Sequence, residues 1–153
     1  MALWLTLLGT NLFVAGIVLG IGIFMTKAKL AYRPGGTQWV GYRTPMSEKN
    51  ADTWEFANRY FGRKALPVGL VAVPATVIAM LPALPAFGRS ETFVNSWGLV
   101  VTAVLVVALF VLVFVTERAL RTTFTRQGTR RSGHPRPAAP TSRNRQATRR
   151  TRR

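Results

Sequence analysis

Three uninterrupted apolar runs organise the chain: Ala2–Thr26, Ala65–Phe87 and Trp97–Thr116. None contains Asp, Glu, Lys, Arg or His. At 25, 23 and 20 residues, each is long enough to cross a hydrocarbon core of about 30 Å as a helix. The first run could be mistaken for a signal peptide. That reading needs a basic start and a small-residue cleavage site. Here no Lys or Arg precedes the run and it ends in FMTKAK, so a retained span is expected. The second run carries Pro67, Pro74, Pro82 and Pro85. Pro67 suits a helix start, Pro74 predicts an interior kink, and Pro82 and Pro85 predict a loosened far end. Trp97 suits an interfacial anchor.

Charge changes the picture from three buried helices to three oriented ones. The chain has 153 residues, 48% hydrophobic, yet its formal net charge is +16. The basic residues lie almost entirely between and after the spans. Lys27–Lys64 holds eight Lys and Arg against three acids, and Glu117–Arg153 holds twelve Arg against one Glu. The segment 88–96 holds only Arg89, with Glu91 beside it. The positive-inside rule then places the N-terminus outside, Lys27–Lys64 inside, 88–96 outside and the tail inside. A membrane with the motif loop and the tail on its cytoplasmic side is the expected location.

Little chemistry lies within the spans. No ionisable group argues for a proton relay or a buried ion site. Gly16 and Gly20 have the small-xxx-small spacing that lets helices approach closely, either inside the bundle or in a homo-oligomer. Asn11 suits an interhelical hydrogen bond or the outer interface. The chain has no Cys, which removes thiolate metal sites and disulfides, and its one histidine, His134, reads as a solvated tail residue. No cofactor is expected. From Arg121 onward the composition predicts a disordered tail. Its arginines suit anionic lipid. The absence of aromatics after Phe124 disfavours base stacking with nucleic acid.

The excess of information lies in GYRTPMSEKNADTWEFANRYFG, Gly41–Gly62. Pro34, Gly35 and Gly36 mark a turn before it. Trp39, Val40 and Tyr42 suit the membrane surface. Pro45 pushes Thr44 out of helical geometry. Ser47 is placed to cap a helix from Glu48 to about Phe61, with Gly62 at its end. Trp54, Ala57, Asn58 and Phe61 would share a stripe with Ala51, and Asn50, Trp54 and Asn58 a ridge. Glu55 and Arg59 would pair across a turn. Arg43, set between Gly41 and Pro45, suits a carboxylate, a lipid phosphate or backbone carbonyls. On these grounds alone the segment could be a surface helix that turns the chain back into the bilayer.

The run GYRTP, then Ser47, Asn50, Trp54 and Ala57-Asn58-Arg59, resembles the SdpI family of bacterial membrane proteins. With the flanking spans, the resemblance covers about residues 1–116. It carries over Gly41, Arg43, Thr44, Ser47, Asn50, Trp54, Ala57 and Asn58. Members often have an asparagine shortly before the glycine, where this chain reads Gly36-Thr37-Gln38. The family includes immunity proteins against a secreted sporulation-delaying toxin peptide.

The expected architecture is an all-α membrane protein. Three transmembrane helices (about 2–26, 65–87 and 97–116) and a short cytoplasmic amphipathic helix in the motif segment 41–62 form a membrane domain over 1–116. A basic disordered tail, 117–153, follows. Gly41, Tyr42, Arg43, Thr44, Pro45, Ser47, Asn50, Trp54, Ala57 and Asn58 form the expected partner-binding motif. The resemblance implies protection against a membrane-active toxin peptide, or a report of its presence to a cytoplasmic regulator. The alternative is an accessory subunit of a larger membrane transporter or complex. An enzyme acting on lipid has only Arg43, Ser47, Asp52 and Glu55 to draw on. Ser47 lacks a base there, so no enzymatic activity is expected.

Overall fold

A computed structural model describes residues 1–28, 30–33 and 40–133. The turn expected at Pro34–Gly36, Trp39, His134 and the arginine-rich stretch 134–153 lie outside the described residues. The rest is built on three long helices: α1 (Ala2–Lys27), α2 (Ala51–Met80) and α3 (Glu91–Thr123). Each is long and apolar enough to cross a membrane. The three-span, all-helical expectation therefore holds.

Because the spans are apolar all round, hydrophobicity does not choose their inner faces; side-chain size does. The buried residues of α1 are Asn11, Ala15, Val18, Gly22 and Met25, one seam at alternating steps of four and three. On α2 the facing seam includes Gly62, Ala65 and Gly69. The two backbones come so close that a β-carbon at Gly22 would lie 2.6 Å from the Leu66 nitrogen, and one at Gly69 2.5 Å from the Leu19 Cα. Gly16 and Gly20 make no such approach. They are exposed, with nothing within 4 Å of a β-carbon built there, so Gly22, Gly62 and Gly69 do the close packing inside the bundle. Asn11 is fully buried and joins α1 to α3: it accepts from the Thr102 hydroxyl at 3.0 Å and its amide lies 3.5 Å from the Gly98 carbonyl.

The structure sets apart no short amphipathic helix. Residues 51–61 are the opening turns of α2, which continues for 30 residues into the span. Gly62 is not a helix end, because its missing side chain admits α1: a β-carbon there would meet that of Met25 at 2.8 Å. Pro67 is likewise not at a helix start; it and Pro74 lie inside α2. Packing against α1 on both sides of Pro67 carries the helix through. Pro82 and Pro85 do end it, in 3₁₀ turns at Leu81–Ala83 and Pro85–Phe87. The freed carbonyls there are used. Trp4 donates its indole N–H to the Met80 carbonyl (3.1 Å) and Trp97 donates to that of Ala79 (2.7 Å).

The ordered chain also extends past the expected third span. α3 starts at Glu91, six residues before Trp97, behind its cap Ser90, and runs to Thr123. Residues 124–133 then fold back through a bridge between Phe124 and Arg130. The part of the expected disordered tail up to Gly133 is thus built into the fold. Burial of Phe124, at 1% exposure, supplies what the composition of that segment lacks.

Candidate functional site

The motif packs where the ends of all three helices meet. Its helix does not start behind Ser47. Asn50 is the cap: its side-chain oxygen accepts the N–H groups of Asp52 (3.0 Å) and Thr53 (2.9 Å), and the Thr53 hydroxyl accepts the Asn50 N–H (3.1 Å). This reciprocal box satisfies donors that a helix start leaves without partners. Ser47 instead closes the preceding turn. Its hydroxyl is fully buried, accepts the Thr44 N–H at 2.8 Å and lies 2.8 Å from the Tyr42 carbonyl. The Thr44 hydroxyl returns the bond by accepting the Ser47 N–H at 3.2 Å. Pro45 is exposed at the start of this turn.

Trp54, Ala57 and Asn58 form the inner wall, all buried. Asn58 ties the two halves of the motif together. Its Oδ1 accepts the Tyr42 N–H (2.7 Å) and its amide donates to the Trp54 carbonyl (2.8 Å). Trp54 donates its indole N–H to the Leu30 carbonyl (3.1 Å), which fixes the chain leaving α1. Gly41 lies against this pair with φ +138°, and a β-carbon there would be 2.6 Å from the Trp54 ring and 2.8 Å from Asn58 Oδ1. Only glycine meets both demands.

Tyr42 does not rest on the membrane surface as its aromatic character suggested. It is 6% exposed, with its ring 5.1 Å from that of Phe61, and its hydroxyl donates to the Val113 carbonyl of α3 at 3.1 Å. Burial, with the Glu117 carboxylate as a lesser cause, pushes its phenol from 10.0 up to about 12. Met46, which has no obvious signal in sequence, is buried in the same cluster with Ala57, Leu120 and Phe124. The hydrophobic spacing around Phe56, Tyr60 and Phe61 hints at a core, but not at which distant residues complete it.

Arg43 faces outward. Its Nε donates to Glu48 Oε1 at 2.7 Å, with side-chain exposures of 46% and 30%. Of the candidate ligands for this guanidinium, a carboxylate of its own turn is among those it holds. An exposed pair of this kind contributes little to stability. The expected Glu55–Arg59 pair does not form; among the described residues the ion pairs include Arg43–Glu48, Glu117–Arg121 and Asp52–Arg130. Glu55 and Arg59 instead line a cavity of about 540 Å³ together with Lys27, Tyr32 and Trp54, between the end of α1 and the start of α2.

The motif's polar side chains thus bond mainly to its own backbone. Such a site holds a shape and presents an edge; the Ser47 hydroxyl faces the Tyr42 and Thr44 carbonyls. Among the described residues, no group of three or more His, Cys, Asp or Glu is placed to hold a metal ion.

Searches of curated proteins and of solved structures returned no match. A family model does match, over residues 35–116, a region that contains the motif, all of α2 and most of α3. That is more than half of the chain, and the protein belongs to the SdpI/YfhL protein family.

Proposed function

We propose that this small multi-pass membrane protein protects its cell against a membrane-active peptide, or reports such a peptide to a cytoplasmic partner. The observation that carries the reading is the division of labour within the motif. Trp54, Asn58, Ser47 and Asn50 are bonded in the interior of the motif, while the Arg43–Glu48 pair and Pro45 lie at its surface. In this reading the spans meet the peptide within the bilayer, and the Arg43–Pro45 edge on the cytoplasmic side is where a partner docks. Membership of the family and the positive-inside distribution support the location and orientation. The chemistry is recognition, not catalysis.

The test is a survival assay. The gene is deleted in its host, the cells are challenged with membrane-active peptides and competitor culture fluid, and the chain is restored. Sensitivity that wild type reverses is the expected result. Equal survival of deleted and restored cells under every challenge would overturn the protective reading.

The second reading, an accessory subunit of a larger membrane complex, has one observation of its own. Gly9, Gly16 and Gly20 lie along one outward face of α1, with open space where a side chain would project. Such a face suits a helix of another subunit or of a second copy. A stable partner retained through mild-detergent purification would favour it.

A further inference from the structure

Residues 124–133 lie beyond the matched region 35–116, yet they pack on the motif. Arg130 makes two bonds to the Asp52 carboxylate, Nε to Oδ2 at 2.6 Å and Nη2 to Oδ1 at 3.0 Å. Its guanidinium also lies 5.0 Å from the Phe124 ring centre and 5.9 Å from that of Phe56, while those two rings meet edge to face at 5.4 Å. The planar, delocalised cation of arginine suits this double use; a lysine ammonium has no matching fork. Asp52, half-sheltered in the first turn of α2, also suits the positive end of the helix dipole.

The backbone of the segment is fitted to the same place. Asn50 accepts for the helix start with its oxygen and donates with its amide to the Gly128 carbonyl at 2.9 Å. Gly128 has φ +87°, and a β-carbon there would stand 2.7 Å from that amide. Lys49 donates to the Arg126 carbonyl. The turn closes on itself through the Thr125 N–H to the Thr129 carbonyl (2.8 Å) and the Arg131 N–H to that of Thr123 (3.0 Å). The helix cap and the segment therefore share one residue, Asn50, and one ion pair, Asp52–Arg130.

We infer that Phe124–Arg131 is a clasp that couples the end of α3 to the start of α2, with Arg130 as a positioning residue for the motif. α3 then grips the motif at two levels: the Val113 carbonyl at Tyr42 and the clasp at Asn50 and Asp52. A shift of α3 in the bilayer moves both. The functional unit extends to about Gly133.

The test uses the full chain in lipid nanodiscs and reads amide hydrogen exchange in peptides covering 124–131 and 50–58. Arg130→Ala and Asp52→Asn are each expected to speed exchange about tenfold in both regions, as expected for loss of a charge-assisted pair, while amides of the spans keep their wild-type rates. Arg130→Lys should fall between wild type and Arg130→Ala. The double variant should fall well short of the sum of the two single effects, because both changes remove the same bond. Opening of 124–131 with unchanged exchange at 50–58 would reduce the segment to a passive tail and overturn the inference. So would additive effects in the double variant, or an unprotected 124–131 in wild type.

Discussion

Gly41 shows how much of the motif rests on one side chain that is absent. Its φ of +138° and the 2.6 Å approach of the Trp54 ring leave a β-carbon no room. Gly41→Ala is expected to destabilise the folded motif by about 2 kcal/mol. Thermal unfolding in detergent, compared with a change at exposed Val40, checks it. Tyr42 supplies a second residue-scale prediction. Its phenol is held neutral in the fold up to about 12, against 10.0 for an ordinary tyrosine. A raised value means the folded state keeps its proton longer than the unfolded state. The stabilisation is therefore complete below pH 10 and is lost as pH rises toward 12. Ultraviolet titration should show a late-ionising phenol that Tyr42→Phe lacks, and the wild-type fold should weaken across that window more steeply than the variant. At this scale the sequence was partly legible. Gly41, Trp54 and Asn58 stood out by type and spacing. Their roles did not, because each is defined by an atom far away in sequence: the Leu30 carbonyl for Trp54, and Tyr42 N–H for Asn58.

Helices long enough to span a bilayer are recognisable from length and lack of charge, which need no knowledge of neighbours. Where α2 begins is harder. Gly62 and Pro67 are ordinary stop and start signals, and a surface helix followed by a separate span is the natural reading of them. In the fold both sit inside one helix, because the decisive interaction is the approach of α1 to Gly62, Ala65 and Gly69. The same reasoning separates the glycines of α1: Gly16 and Gly20 match a known spacing but face outward, while Gly22 touches α2. Gly69→Leu should therefore force α1 and α2 apart and cost about 1–3 kcal/mol by overpacking, whereas Gly16→Leu should leave the monomer's stability unchanged. Unfolding of the two variants in the same detergent distinguishes them. Equal losses would mean that Gly16 also packs within the bundle.

At the scale of the whole molecule, the three spans bring a tightly bonded motif to one end of the bundle and fix it from α1, α2 and α3 at once. The composition of the C-terminal region concealed the last part of this arrangement. Arginine, threonine and glycine predict a solvated chain, and the burial of Phe124, the pairing of Arg130 and the Asn50–Gly128 bond show otherwise. A truncation meant to remove the basic tail alone must accordingly stop after Gly133; one that starts at Arg130 cuts into the motif's support. We propose the motif, with its outward Arg43 edge, as the functional centre of the protein. The most direct test is complementation of the gene deletion with Arg43→Ala, Trp54→Ala and the chain ended at Gly133, at matched membrane abundance under a challenge that wild type survives. Loss of protection in the two motif variants and its retention in the shortened chain is the predicted result. Full protection by Arg43→Ala and Trp54→Ala, with loss in the shortened chain, would contradict it.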